Sequence, residues 1–261
     1  MTGAQLEGRT AVVAGGGGGI GSAVVRLFAQ HGATVHALGR NRQALAAAVP
    51  PEFLDSRHVV PHTVDVTDEE VVHECLAGIH DTTDIHVLVS VVGVNVPNRR
   101  LGDLTTRDWD AILRSNLDSC FYLIHAALPA LRRTSGTGIF IGSASAYWPN
   151  GSGAAYQAAK LGLLGLTRAA SYDEHTRGVR FTTISPGLVD TPHLARRATP
   201  PSATARAASL RPEDVAGACL YIASLPATVH VPEMVMLPTA LQAPGKTEIP
   251  DAPSRPTSPS S

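Results

Sequence analysis

Short apolar runs alternate along the chain with longer stretches in which apolar residues recur every three to four positions. Thr10–Ala14 reads as a strand that runs into the glycines Gly15–Gly19, and Ala23, Val24, Leu27 and Phe28 then follow at helical spacing until Gly32. The same unit repeats. Thr34–Leu38 predicts a second strand, and Gln43–Val49 a short helix that ends at Pro50-Pro51. Val59–Val64 predicts a third strand; Asp65-Val66-Thr67-Asp68 then offers turn and capping residues for a helix through His80. Ile85–Val89 is apolar after its first residues, as a strand buried on both faces should be. Thr105 or Thr106 can cap one long helix toward Leu131, followed by a strand at Ile139–Ile141 and a helix at Ala154–Tyr172. Val179–Ile184 is a sixth strand stopped by Pro186-Gly187, Pro212 opens a helix through Ala223, and Met234–Leu237 is the last strand. Strands separated by helices predict βαβ units, hence an α/β fold with a doubly wound parallel sheet.

Length agrees with that picture. The 261 residues suit one α/β domain over positions 1–242, and the five prolines with Ser and Thr between Ala243 and Ser261 predict a disordered tail. About 190–210 the periodicity weakens, which predicts a functional or mobile substrate loop. A net charge of −1 offers no field for nucleic acid or an anionic membrane surface. The N-terminus shows no charged segment followed by an apolar run, and no stretch is apolar enough to span a bilayer, so the expected location is the cytoplasm. Cys75, Cys120 and Cys219 are scattered within helix-like stretches and read as reduced thiols. The eleven histidines show no metal-like pairing along the chain, and no metal is expected.

The glycine run carries the first chemistry. A strand, a glycine turn and a helix can cradle a dinucleotide pyrophosphate, because glycine lets the backbone approach the ligand and the helix start supplies free N–H groups and a positive dipole end. The second strand ends Leu38-Gly39-Arg40-Asn41-Arg42, without the carboxylate that would read the 2′-hydroxyl of NAD. Gly39 leaves room for a 2′-phosphate and Arg40 can pair with it, so NADP(H) is preferred and NAD(H) is the alternative.

The second chemistry is the pair Tyr156 and Lys160. Only two lysines stand against nineteen arginines, so an ammonium four residues after a tyrosine is a distinctive choice. On a helix the two share a face, and a cation beside a phenol favours its anionic form, which makes Tyr156 a candidate proton donor and acceptor. Ser143 falls at the carboxyl end of the fifth strand, where open parallel sheets bind ligands. Asn116 interrupts a helical pattern with an amide that competes for backbone groups.

These motifs, in this order, resemble the short-chain dehydrogenase/reductase family over about residues 7–240. The resemblance rests on Gly15-x-x-x-Gly19-Ile20-Gly21, on Asn116, Ser143, Tyr156 and Lys160, and on Pro186-Gly187 with Thr191. It implies a Rossmann fold and hydride transfer between a nicotinamide and a carbonyl or secondary alcohol. The catalytic residues implied are Tyr156 as general acid/base, Ser143 as hydrogen-bond donor to the substrate oxygen, Lys160 as holder of the nicotinamide ribose and Asn116 as the end of a proton relay through its backbone carbonyl. The cofactor residues implied are Gly15, Gly17, Gly18, Gly19, Ile20 and Gly21 at the pyrophosphate, Arg40 and Asn41 at the ribose, and Asp65 and Val66 at the adenine. Val91 and Gly93 after the fourth strand, and Pro186, Gly187, Val189 and Thr191 at the nicotinamide end, complete the set. Partners implied are a small carbonyl or alcohol substrate and further copies of the chain, as a homotetramer or homodimer through the helices at Thr105–Leu131 and Ala154–Tyr172.

Two places depart from the family pattern. Ala14 stands where Thr is usual, and Ser90-Val91-Val92-Gly93 where Asn-Asn-Ala-Gly is usual. Losing polar groups at both places together predicts an apolar contact with no orphaned partner, so cofactor binding should survive. The same departures are what a rival reading rests on, a non-catalytic nucleotide-binding sensor of the same fold. Trp148 falls where a substrate pocket wall would be, either stacking on substrate or plugging the core. His193 and Arg196-Arg197 read as solvated loop residues, with contact to an acidic substrate as the alternative, and Trp109 as a packing residue at a helix start.

Overall fold

The computed structural model describes residues 4–56, 58–196 and 200–241. The expected tail, 243–261, and Arg197 lie outside the described residues.

Seven strands form one sheet: β1 Thr10–Ala14, β2 Thr34–Gly39, β3 Val59–Thr63, β4 Val87–Ser90, β5 Thr137–Ile141, β6 Arg180–Pro186 and β7 Glu233–Met236. Their spatial order is β3-β2-β1-β4-β5-β6-β7, and every pairing is parallel. The helices are α1 Gly19–Gln30, α2 Arg42–Ala47, α3 Pro51–Asp55, α4 Glu69–His80, α5 Thr106–Leu113, α6 Ser119–Thr134, α7 Ala154–Glu174, α8 Ala203–Ala207 and α9 Pro212–Ala223.

Both faces of the sheet are covered, and side-chain alternation shows how. Ala11 and Val13 of β1 enter one core with Val24 and Phe28 of α1 and Val215 and Cys219 of α9. Val12 and Ala14 enter the opposite core with Leu76 of α4, Leu123 of α6 and Leu163 of α7. β4 and β5 divide in the same way: Val89 and Ile139 face the first core, Leu88 and Phe140 the second. This is the three-layer, doubly wound arrangement that the run pattern predicts. The strand order reverses between β1 and β4, and the carboxyl ends of the strands at such a reversal are where sheets of this kind form the crevice that binds ligands.

Capping follows the sequence. Asp68 accepts from the Val71 N–H at 3.2 Å to start α4, Thr105 accepts from the Asp108 N–H at 3.1 Å to start α5, and Pro212 opens α9.

Two features go beyond the expected elements. α2 ends at Ala47, before Pro50-Pro51, but Pro51, whose fixed φ suits a first helical turn, begins a further short helix, α3. The helix expected from Thr105 to Leu131 is two helices joined by a π-helical segment, Arg114–Asp118. The cause is Asn116, whose side-chain amide donates to the Ile112 carbonyl at 2.8 Å and to Val94 at 2.9 Å. Ile112 is the i−4 residue, so the side chain takes the carbonyl that an α-helical Asn116 N–H would use. The stretch about 190–210 is described apart from residues 197–199. It holds a 3₁₀ segment, Pro192–Arg196, and α8. It closes on itself where Asp190 N–H donates to Leu210 at 2.8 Å and Arg206 pairs with Asp190 at 2.8 Å.

Candidate active site

Gly15 leaves β1 with φ +85°, a left-handed conformation open to glycine, and the N–H groups of Gly15 and Gly16 both donate to the Leu38 carbonyl, at 2.8 and 3.0 Å. The turn is tight: a Cβ on Gly21 would collide with the Gly15 carbonyl, and one on Gly19 would lie 2.9 Å from Thr191 Cγ2. Gly18 starts α1 without a side-chain cap, and the first turn, which includes Ile20, carries no acid. The first N–H groups of α1 are therefore open to an anion and meet no competing carboxylate. A dinucleotide pyrophosphate fits this cradle on shape and charge.

At the neighbouring end of β2, Arg40 is exposed and Asn41 accepts from the Ala44 N–H at 3.0 Å, so the Asn41 side chain caps α2. Asp65 follows β3 and accepts from the Thr67 N–H at 3.0 Å and its hydroxyl at 2.8 Å. Partial burial pushes the Asp65 carboxyl upward, but those two bonds and the positive charge of Arg40 leave it below the usual carboxylate range. Arg40 and Asp65 thus feel each other across the same end of the crevice. Val66 is buried in the core behind them.

Ala14 and Ser90, the two departures from the family pattern, are both buried. The Val91 N–H donates to the Ala14 carbonyl at 3.0 Å, and Ser90 Oγ lies 3.8 Å from Cys120 Sγ. Backbone pairing and a thiol contact therefore serve where side-chain polar groups are usual. Val91 packs on the turn: a Cβ on Gly15 would lie 2.8 Å from its Cγ2.

The four catalytic candidates come from three parts of the chain. α7 carries Tyr156, half-buried, and Lys160, buried. Lys160 Nζ donates to the Ile141 carbonyl at the end of β5, at 2.9 Å, and lies 5.8 Å from the centroid of the Tyr156 ring. A buried ammonium must be held by acceptors, and this one is fixed by a strand-end carbonyl and an aromatic face. Ser143, two residues beyond Ile141, is half-buried, and its Oγ accepts from the Ser145 N–H at 3.1 Å, which leaves its own hydroxyl hydrogen free to donate elsewhere. Asn116 sits in the π segment. A Cβ on Gly93 would lie 2.8 Å from Asn116 Oδ1 and 3.3 Å from Lys160 Nζ, so both polar atoms flank one glycine-sized slot. Oδ1 is buried with no hydrogen-bond partner among the described residues. The expected relay drew on the Asn116 backbone carbonyl; here that carbonyl takes a long contact from Cys120 Sγ, 3.7 Å, and Oδ1 borders the slot.

Pro186 ends β6, Gly187 follows it, and the Gly187 N–H donates to Met236 at 2.7 Å. Val189 is buried, and Thr191 lies over the glycine turn. Trp148 is 44 % exposed with its ring 5.6 Å from that of Tyr147, which removes the core-plug reading. Trp109 packs beside Ile112, Ala155 and Ala159 as a packing residue should.

Sequence reasoning missed a brace around this site. Tyr147 donates to Glu233 Oε2 at 2.7 Å, and Arg168 donates to Glu233 Oε1 at 2.6 Å. The three link the segment after Ser143, helix α7 and β7. Burial, then the bond to the carboxylate, pushes the Tyr147 phenol up to about 12. The Arg168 bond holds the Glu233 carboxyl below its usual range. Asn150, Ser145 and Ser152 knit the intervening loop, with Ser145 Oγ 3.0 Å from Ser152 Oγ and Ser152 N–H 2.8 Å from Asn150 Oδ1. No sequence spacing signals partners 86 residues apart.

A doubly wound sheet with a glycine cradle at its switch point and a Ser, Tyr and Lys set at the neighbouring strand ends defines a nucleotide-binding oxidoreductase. The chain belongs to the short chain dehydrogenase family, whose model matches residues 9–201. It is 33% identical to an uncharacterized oxidoreductase of Staphylococcus aureus (strain MW2) over 235 residues, 89% of this chain and 98% of that one. Among solved structures it is similar to an alcohol dehydrogenase from the archaeon Thermococcus sibiricus complexed with 5-hydroxy-NADP, with a TM-score of 0.80, 25% identity and coverage of 91% and 99%. It is also similar to a closed form of serine dehydrogenase complexed with NADP+, with a TM-score of 0.77, 28% identity and coverage of 87% and 94%.

Proposed function

We propose that this oxidoreductase interconverts a small carbonyl compound and its secondary alcohol with NADP(H), using Tyr156 as general acid/base. The observation that carries the reading is the buried Lys160 ammonium fixed between the Ile141 carbonyl and the Tyr156 ring. When bound, the nicotinamide supplies or takes the hydride. In the reductive direction Tyr156 gives its phenolic proton to the substrate oxygen, and Ser143 donates a hydrogen bond to that oxygen as negative charge develops. Lys160 retains N–H groups beyond the one given to Ile141, available for a ribose hydroxyl. Lys160, with the Asn116 backbone carbonyl beyond it, would relay a proton from solvent to replace the one given up by Tyr156. Gly15, Gly17, Gly18, Gly19, Ile20 and Gly21 would hold the pyrophosphate, Arg40 with Asn41 the 2′-phosphate, and Asp65 with Val66 the adenine. Val91, Gly93, Pro186, Gly187, Val189 and Thr191 would bound the nicotinamide half, with Trp148 at the substrate mouth. NADP+ in one similar solved structure and 5-hydroxy-NADP in another support the cofactor choice.

The protein works as a homo-oligomer in the cytoplasm in this reading. Phe121 on α6 and Leu161 and Tyr172 on α7 are large apolar side chains left exposed, at 46, 55 and 77 %, on the helices expected to pair. Cys75, Cys120 and Cys219 are free thiols, as a reducing compartment favours.

Fluorescence titration with NADPH and NADH, followed by turnover on a panel of ketones and short hydroxy acids that includes serine, tests the proposal. Tighter NADPH binding with turnover is expected. Tight binding without turnover across the panel would favour the sensor reading, and preference for NADH would remove the role given to Arg40.

A further inference from the structure

Away from the crevice, the fold brings together three side chains that the linear sequence keeps apart. Glu69 and His73 lie one helical turn apart on α4, and His125 reaches them from α6. One carboxylate oxygen and one nitrogen from each imidazole all lie within 4.8 Å of one another. His73 Nε2 and His125 Nδ1 face each other at 3.2 Å across a separation of 52 residues. The histidines show no metal-like pairing along the chain because this one is made by tertiary packing.

We propose that Glu69, His73 and His125 form a zinc site that ties α4 to α6. Two nitrogens bound to one tetrahedral zinc at about 2.0–2.1 Å stand about 3.3 Å apart, which the 3.2 Å separation already matches. Two imidazoles and a carboxylate suit a borderline divalent cation, with water as the fourth ligand. His125 is already oriented for ligation, since Phe121, one turn before it, stacks on its ring with centroids 5.7 Å apart and planes 10° apart, which fixes the direction of Nδ1. The field is favourable as well. α4 carries Glu69, Glu70 and Glu74 and no Lys or Arg, and the neighbouring Asp68 carboxylate is committed to capping the helix.

The untagged full-length protein, in its native assembly, is titrated with zinc chloride by calorimetry and followed by thermal unfolding. One equivalent per chain is expected, with a Kd on the order of micromolar and a rise in Tm. His73→Ala and His125→Ala should each weaken binding by about tenfold or more, and Glu69→Gln by less. Cobalt(II) should give the intense visible bands of a tetrahedral site, absent from the His73→Ala/His125→Ala double variant. All three positions are outside the crevice, so NADPH binding and turnover should be unchanged, and circular dichroism verifies that the variants fold. Absence of saturable zinc binding, or an isotherm and Tm shift that persist in the double variant, overturns the proposal; persistence would assign the metal to other histidines such as the His36–His62 pair.

Discussion

Lys160 Nζ lies 5.8 Å from the centroid of the Tyr156 ring, one helical turn along α7, and is held there by the Ile141 carbonyl at 2.9 Å. The ammonium is buried, so its position is set by the fold and not by solvent. Tyr156, Gly93 and Asn116 flank that fixed charge.

Gly93 tests the slot beside it. A Cβ there would lie 2.8 Å from Asn116 Oδ1 and 3.3 Å from Lys160 Nζ. Gly93→Ala should therefore displace one or both groups and lower kcat by about tenfold or more, while NADPH affinity changes less. Steady-state kinetics with a matched binding titration decides this.

Arg40 tests the cofactor assignment. It is exposed and its charge reaches Asp65, so it is available to a 2′-phosphate. Arg40→Ala should weaken NADPH binding by about 10- to 100-fold, the size of a lost charge-assisted hydrogen bond, and leave NADH binding within a few-fold. Equal losses for both cofactors would mean that Arg40 does not read the phosphate.

The Tyr147–Glu233–Arg168 brace tests how the site is held. Tyr147 stays protonated across the working range because its phenol is pushed up to about 12, so it remains a donor to Glu233. Tyr147→Phe should cost about 1 kcal/mol, since the partners are partly exposed, and lower Tm by about 2–4 °C. Differential scanning fluorimetry at pH 7 and 9 should give the same difference at both.

His36 predicts an acid limb of stability. It is buried on β2 with Nδ1 2.8 Å from His62 Nε2. Burial, with a smaller repulsion from His62, lowers its pKa from 6.5 to about 4. Between those values the unfolded chain binds the proton and the folded chain does not, so stability falls as the pH drops through that window. The contribution lost between pH 7.5 and 4.5 is about 2–3 kcal/mol, and none is lost above pH 7.5. Urea unfolding at both values should show this drop, and His36→Leu should shrink it.

Much of this was legible in the chain. β1 needed only five apolar-compatible residues before glycines, and both of its faces are buried as an uninterrupted run requires. Asp68, Thr105 and Pro212 announced helix starts because capping is local chemistry. The Tyr156–Lys160 spacing announced a shared face for the same reason. The π segment was only half legible: Asn116 signalled competition for backbone groups, but the acceptor at Val94 lies 22 residues away. The Arg206–Asp190 pair was illegible too, because weak periodicity hides partners 16 residues apart. Glu233 and the His73–His125 contact were illegible, since each partner comes from a distant element and carries no pattern of its own.

The most direct measurement is a single turnover of NADPH oxidation, followed by stopped flow with a substrate identified from the panel, in the wild-type protein and in Tyr156→Phe. Removal of one hydroxyl should leave NADPH affinity and the fold intact and slow hydride transfer by about 10²–10⁴-fold, the usual contribution of general acid–base catalysis. A Tyr156→Phe protein that oxidises NADPH at the wild-type rate would contradict the assignment of Tyr156 as the proton donor, and with it the central claim.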